Sequence, residues 1–370
     1  MLYATPPTSG AMRAQLAELD LLRKRLGEDG STFSPWLGTL RQEVRAKTVE
    51  SSISIEGFEL SDGEALALLG DTAKADDDDR LAFACYARAM DHVGVLATDP
   101  TFTWSSRVIL DLHFDACSFQ KQRSPGHWRT GPIAVTGPGG NIAYQAPPGE
   151  EVVQLMDEVV TWLQTDDDTH PVVRAAMAHL HVVSIHPFRD GNGRISRIVQ
   201  SLALALDGRV SPELGSIEEY LAEHTGAYYS ALQGVQAGSY QPERSALPWV
   251  EFCVEAHLAQ AKQRLRQIEQ AGERWEILES LSADRGWPER LVIAMEQCLT
   301  SGTTSAAYRD EAEVTPPTAS GDFRRLLDAG LARQEGKGRS TRYVASDALR
   351  TLISGAESPE AAPKMSRSPG

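Results

Sequence analysis

The stretch Ser184–Arg197, SIHPFRDGNGRISR, sets an imidazole (His186), an aromatic ring (Phe188), a carboxylate (Asp190), a Gly191, Asn192, Gly193 turn and two guanidinium groups (Arg194 and Arg197) within fourteen residues. Packing alone does not call for that set. Upstream, the run from Pro171 to Val183 opens on a proline suited to a first helical turn and is rich in alanine, which predicts a buried helix. Downstream, Ile195, Ile198, Val199, Leu202 and Leu206 recur at helical spacing before an Asp207, Gly208 stop, so a second helix is expected to begin at Gly193. The glycine turn then stands at a helix N-terminus, where unpaired N–H groups and the positive end of the dipole make an anion site that small residues open to a phosphate. Arg194 and Arg197, three apart, are placed to reach one polyphosphate. His186 precedes the turn, and Asp190 offers a hard oxygen to magnesium beside the phosphates.

The block resembles the signature of the Fic-domain family, H-x-F-x-(D/E)-G-N-G-R-x-x-R. Its defined positions are matched by His186, Phe188, Asp190, Gly191, Asn192, Gly193, Arg194 and Arg197. The resemblance implies an adenylyltransferase that moves AMP from ATP onto a Ser, Thr or Tyr hydroxyl of a protein and releases pyrophosphate. Each expected role has a physical reason. A hydroxyl is a poor nucleophile at neutral pH, and a base with a pKa of about 6.5, His186, suits its proton. The Gly191–Gly193 amides, the Asn192 side chain, Arg194 and an Asp190-bound magnesium would neutralise charge on the α-phosphate. Arg197 would hold the far end of the triphosphate, and Phe188 would pack inward to fix the loop.

A net charge of −15 over 370 residues argues against nucleic-acid or anionic-membrane binding by the chain as a whole, while leaving room for a local basic face. Cys85, Cys117, Cys253 and Cys298 have no paired spacing and read as reduced core thiols. No leader pattern and no run of eighteen apolar residues is evident, so a cytoplasmic protein is expected.

Residues 1–10 are expected to be poorly ordered. Leucines at 16, 19, 22 and 26 predict a helix from Met12 to Leu26, and another runs from Pro35 to about Ser51. Ser52, Glu56 and Gly57 then match the inhibitory motif (S/T)-x-x-x-E-(G/N) of many Fic proteins, upstream of the signature where one branch of the family carries it. Taken alone, the fragment is a helix end with Gly57 as its cap. If it lies over the site, the Glu56 carboxylate is expected to form a bidentate pair with Arg197. The acidic run Asp76–Asp79 reads as a solvated turn before a helix over Leu81–Val95, and Asp166–Asp168 as a link between the helix Glu151–Leu163 and the one at Pro171; neither is read as a metal site. Two short runs, Ile133–Val135 and Ile142–Tyr144, flank the turn Gly137–Gly140 and predict a hairpin. It resembles the flap that Fic proteins hold over the active site, where a strand edge can register a target segment. His113, His127, His170, His179 and His181 form no evident ligand set, and His179 and His181 read as helix-packing residues.

Ser216–Val235 is expected to be helical. Within it Tyr228 and Tyr229 resemble the family's Tyr-Tyr-x-x-Leu stretch near the nucleotide base, although the Asn that often precedes it is absent and His224 and Thr225 stand there. A long polar helix follows over Pro248–Leu281. Helices Pro288–Leu299, Ser305–Ala312 and Pro316–Ala329, with strands Leu331–Gln334 and Thr341–Val344, resemble a winged helix-turn-helix with Thr318–Leu327 as the recognition helix. There Arg324, Arg325, Arg333, Lys337, Arg339 and Arg342 outnumber Asp322, Asp328 and Glu335, six against three. DNA is one expected ligand of that face; protein binding and dimerisation are the alternatives. Residues 354–370 are expected to be a disordered tail.

The chain is thus expected to be mainly α. Its parts are an N-terminal helical region with the inhibitory motif (1–104), a Fic-type helical bundle with a small β-hairpin flap (105–240), a helical linker (241–287), a winged-helix domain (288–353) and the tail (354–370). The favoured activity is adenylylation of a protein, the chain itself included, with ATP and Mg2+ and restrained by Glu56; a second copy of the chain is a further candidate partner. The alternatives are a DNA-binding transcriptional regulator whose Fic fold senses nucleotide, and removal of AMP with Glu56 orienting a water. An intact His186 favours the enzyme, because a sensor has no use for a base beside the phosphate turn.

Overall fold

The computed structural model describes residues 1–31, 34–61, 63–70, 75–137, 139–165, 168–300, 302–336, 338 and 341–356. They divide into two units, residues 1–32 with 41–266 and residues 33–40 with 267–370. The first unit contains helices α1 (Gly10–Ser31), α2 (Pro35–Ser54) from Arg41 on, α3 (Glu64–Gly70), α4 (Asp78–Thr98) and α5 (Ser106–Cys117), then a hairpin of β1 (Ala134–Thr136) and β2 (Ile142–Gln145). Helices α6 (Val152–Gln164), α7 (Pro171–Ile185), α8 (Asn192–Ala205), α9 (Pro212–Gly215), α10 (Glu218–Glu223), α11 (Thr225–Gln236) and the first part of α12 (Leu247–Asp284) follow.

Helix α7 is the axis of this unit. His170 caps it by accepting from the Val172 N–H, Pro171 opens its first turn, and every residue from Ala175 to Ile185 is buried. A helix that is apolar all round has no solvent face, so it must lie inside. Accordingly α6 and α8 pack on α7, and α8 also meets α4 and α5. Two polar groups inside are matched as burial demands: Trp249 donates to the Ala176 carbonyl (2.7 Å), and His179 lies between Gln200 (2.7 Å) and the Tyr228 hydroxyl (3.1 Å). The hairpin pairs Ala134 with Gln145 and Val135 with Tyr144, then slips so that Thr136 faces Ile142, and the Gly137 N–H closes its turn on the Asn141 carbonyl (2.8 Å).

Several expectations change here. Residues 1–10 are not loose: Tyr3 is 3% exposed with its ring edge-on to Tyr240, and Pro6 is buried. The expected helix over Ser216–Val235 breaks at His224 into α10 and α11. The four cysteines are free and buried. Among the described residues no helix is long and apolar enough to cross a membrane. Asp166 and Asp167 lie outside the described residues.

The second unit contains the end of α12, then α13 (Arg290–Leu299), α14 (Ser305–Ala312), α15 (Pro316–Asp328), β3 (Ala332–Glu335), β4 (Arg342–Ala345) and α16 (Asp347–Ala356). β3 and β4 are antiparallel, from Ala332 opposite Ala345 to Glu335 opposite Arg342, and Thr303 bridges to Tyr343 on the far edge. Its core holds Leu291, Met295, Tyr308, Phe323, Leu326 and Leu349, with Phe323 stacked on Tyr343 at 3.8 Å. Asp322 is 2% exposed and bound by Arg290 (2.8 Å) and the Tyr308 hydroxyl (2.9 Å), so it belongs to this core and not to the outer face of α15. Residues 354–356, assigned to a tail from sequence, finish α16, which buries Leu349 and Ile353 one turn apart. Lys337, Arg339 and residues 357–370 lie outside the described residues.

Candidate active site

Helix α7 ends on His186, whose φ of 52° is left-handed, a conformation costly for a residue with a Cβ and retained only where neighbours hold it. Its N–H still bonds the Val182 carbonyl (3.0 Å), and its ring Nδ1 lies 3.1 Å from the Val183 carbonyl. A carbonyl only accepts, so Nδ1 carries the proton and Nε2 is left as a bare base. Burial lowers the His186 pKa, opposed by the Val183 bond and the carboxylates of Glu56 and Asp190. The imidazole is therefore neutral at physiological pH.

A helix end also leaves its last carbonyls without partners. Beyond Val183, each is met from the flap. Ser184 O accepts from the Tyr144 hydroxyl, Ile185 O and His186 O from the Arg129 guanidinium (3.1 and 2.7 Å), and Pro187 O from the Arg129 backbone N–H (2.9 Å).

The turn after His186 is closed by Asn192, whose side chain accepts from the Phe188 N–H and donates to the Phe188 carbonyl, both at 2.9 Å. Those bonds take the carboxamide oxygen and one of its two N–H donors into shaping the loop, while Asn192 also borders the cleft. Phe188 is fully buried and stacks on His113 at 3.5 Å. His113 accepts from the Gly126 N–H at Nδ1 (2.9 Å), so its Nε2–H is the donor to the Asp190 carbonyl (3.0 Å). Burial pulls its pKa down to about 4, which keeps it neutral. Gly191 is required twice over: its φ is +74°, and a Cβ there would stand 2.4 Å from Cys117 Sγ. Its N–H bonds Asp190 Oδ1 (2.7 Å). The N–H groups of Asn192, Gly193 and Arg194 precede the first α8 bond, from Ile195 N to Gly191 O, and no side chain caps them. An anion site remains.

The partner of that site comes from α2. Gly57, at φ +86°, ends α2 with bonds from Phe58 N to Ile53 O (3.2 Å) and from Gly57 N to Ser54 O (3.0 Å), a glycine termination that turns Glu56 over α8. Glu56 Oε1 lies 2.9 Å from Arg197 Nη2. Ser52, fully buried, takes Arg197 Nε on its hydroxyl (2.7 Å) and Nη2 on its carbonyl (2.9 Å). The pair is therefore single-armed, not bidentate, because Ser52 already holds Nε. Arg197 is 1% exposed; burial works against its charge, yet Glu56, Tyr228 and Tyr86 together more than offset this and its pKa stands above the ordinary value. Arg194, also 1% exposed, lies between the rings of Phe58 and Phe119 and donates to Gln120 (3.0 Å), with Nε and Nη1 unmatched. Neither guanidinium lines the open cleft.

That cleft, about 320 Å³, is bordered by Glu56, His186, Asp190, Gly193, Tyr229 and, from the flap, Val135. The tyrosine pair divides: Tyr229 is 44% exposed, with its hydroxyl 3.5 Å from the Ile55 carbonyl, whereas Tyr228, which also borders the cleft, is 1% exposed and packs on Trp249. Among the described residues no three His, Cys, Asp or Glu side chains are grouped to hold a metal ion by themselves. Asp190 offers one carboxylate, which fits a magnesium ion that keeps most of its water and arrives on a triphosphate.

Residues 103–204 match the profile of the Fic/DOC family. This segment is a Fic domain. A protein adenylyltransferase Fic of Aedes aegypti is 28% identical over 207 residues, 54% of this chain and 39% of that protein. One of Drosophila melanogaster is 37% identical over 103 residues, 27% of this chain and 20% of that protein. The chain thus spans well under half the length of the curated relatives it matches. A solved Fic family protein from Desulfovibrio desulfuricans has the same fold, with a TM-score of 0.57 at 18% identity over 93% of this chain and 98% of that one. Within the Fic domain, sequence reasoning missed His113, Arg129 and Tyr144 as parts of the site. The first had a signal: Ile109, Leu112, His113, Ala116 and Cys117 form a helical stripe, and all are buried.

Proposed function

We propose that the chain transfers AMP from ATP to a hydroxyl group of a protein and that Glu56 restrains the transfer. The observation that carries this reading is a neutral imidazole with a bare Nε2 in the same cleft as an uncapped helix N-terminus. In the reaction the target hydroxyl loses its proton to His186 Nε2 as its oxygen bonds the α-phosphorus. The bond from that phosphorus to the bridging oxygen breaks, and pyrophosphate leaves with the electron pair. The Asn192, Gly193 and Arg194 N–H groups would bind the phosphate oxygens, and Arg197, once free of Glu56, the far end of the triphosphate. Asp190 would hold magnesium, which draws off phosphate charge when bound. Incubation with α-labelled ATP and cell lysate tests the proposal: a labelled protein band is expected, none with γ-labelled ATP, and absence of both rejects it. Removal of AMP, with Glu56 orienting a water, uses the same cleft and is read by loss of label from a modified target.

The second unit supports a companion reading as a winged helix that meets DNA, because Arg324 and Arg325 are exposed on α15 while Asp322 turns inward. Exposed Asp310, Glu311 and Glu313 at the end of α14 oppose it. Four buried free thiols fit a reducing compartment, hence the cytoplasm.

A further inference from the structure

The carbonyls from Ser184 to Pro187 find their donors in two residues of the flap segment, Arg129 and Tyr144. Arg129 is 3% exposed, and its guanidinium also donates to Gly131 O and Pro147 O, each at 2.7 Å. Those two carbonyls are the roots of the hairpin, one before β1 and one after β2. The roots cross tightly: a Cβ on Gly149 would stand 2.2 Å from Thr130 O. One planar donor group thus spans both roots of the flap and the turn that carries His186, while Val135 and Ile142 farther out remain exposed at 37% and 66%.

This arrangement has a mechanical consequence. The left-handed His186 backbone persists only while its surroundings over-determine it. Its own carbonyl and those on either side are fixed by Arg129, and fixing these peptide planes fixes the direction of the imidazole. If the flap lifts, these four carbonyls lose their donors, the last turn of α7 relaxes, and the Nδ1 bond to Val183 that sets the tautomer goes with it. We propose that Arg129 and Tyr144 are positioning residues that make the flap the cap of the base-bearing helix, so that a target segment seated along the flap steadies His186 in its reactive orientation.

The inference rests on the transfer reading above for its kinetic part but not for its spectroscopic one. The experiment uses the full chain carrying Glu56→Gly, with Arg129→Lys or Tyr144→Phe added. The 15N signals of the His186 ring, assigned by difference from His186→Ala, report the tautomer at pH 7.5. Both variants are expected to turn a single Nδ1-protonated signature into an averaged one. Transfer should fall tenfold or more in kcat for Arg129→Lys and about threefold for Tyr144→Phe, with ATP affinity unchanged within twofold, because the nucleotide phosphates lie on the α8 side. If the parent transfers no label to any target, the transfer reading fails while the ring signals still decide the coupling. Should Arg129→Lys not fold, Tyr144→Phe, which removes one hydroxyl, decides alone. Folded variants with parental ring signals and parental kcat overturn the proposal.

Discussion

Glu56 and Gly193 share one place: a Cβ on Gly193 would stand 2.3 Å from Glu56 Oε1. No backbone angle demands the glycine there, so its missing side chain is what admits a carboxylate onto the N-terminus of α8. The carboxylate thus lies against the first turn of α8, beside amides that it does not cap. Gly193→Ala should expel Glu56 and fill that place with a methyl group. ATP affinity of Gly193→Ala with Glu56→Gly is therefore expected to be at least tenfold below that of Glu56→Gly alone, by calorimetry. Equal affinities would mean that the phosphates do not approach Gly193.

His186→Ala, in the Glu56→Gly chain, should abolish label transfer and leave ATP affinity within about twofold. The reason is geometric: on the transfer reading Nε2 would meet the incoming hydroxyl, while the phosphates would meet α8. Loss of both together would remove His186 from the role of base. In the parent, kcat/KM should rise with pH through a value below 6.5 and level off by neutrality, because burial lowers the pKa of this imidazole.

The helical bundle, the hairpin and the signature turn are legible because their chemistry is local: periodicity, turn residues and one contiguous block carry them. What escapes is set by distance in sequence. Arg129 reads as one more residue near a hairpin until its guanidinium is found among carbonyls 56 and 57 residues on. The single-armed Glu56 and Arg197 pair escapes for a similar reason, since no pattern says that Ser52 takes Nε first. Tyr228 and Asn192 border the cleft, but no pattern says that the one also packs on Trp249 and the other also bonds Phe188 to shape the turn. Tyr3 and Pro6 sit in a stretch whose composition suggests a loose end, and burial of two side chains outweighs it.

Acid should destabilise the first unit before its carboxylates matter. Burial lowers His113 to about 4 and His179, His181 and His257 to about 3. All four are neutral in the fold, while the unfolded chain titrates them near 6.5. Below pH 6.5 the unfolded state binds protons that the native state does not, so stability falls by up to about 1.4 kcal/mol per pH unit per histidine until the folded pKa is reached. Urea midpoints should drop between pH 7.5 and 5.0. His181, whose ring nitrogens find no partner, can be replaced: His181→Phe should flatten the slope by about one proton. A midpoint that does not move over this range contradicts the argument.

On α15, Arg324→Ala with Arg325→Ala should weaken any DNA binding and lower its salt slope by about two, as expected when two phosphate contacts are lost. Lys337→Ala with Arg339→Ala, between β3 and β4 in sequence, should act in the same direction. A wild-type chain with no salt-sensitive DNA binding makes this unit a protein-interaction module.

Glu56→Gly is expected to raise AMP transfer tenfold or more. With Glu56 in place, Arg197 Nη2 is engaged by that carboxylate and by the Ser52 carbonyl, and Nε by the Ser52 hydroxyl. ATP can still meet the Asn192–Arg194 amides. On the proposed reading its far phosphate would be shut out from Arg197, which would tilt the triphosphate and take the α-phosphorus out of line with the hydroxyl. A displacement of about 1 Å at this step can cost on the order of a hundredfold in rate. Removing the carboxylate leaves the Arg197 fork held from behind by Ser52, with Nη1 already unmatched and facing Gly193, so the arginine stays aimed when it is released. The double change Glu56→Gly with Arg197→Ala should therefore lose most of the gain. Label incorporated into a panel of targets, the chain itself included, measures both. Wild-type transfer by Glu56→Gly, or an undiminished gain in the double variant, would show that the pair does not govern the pose of the triphosphate.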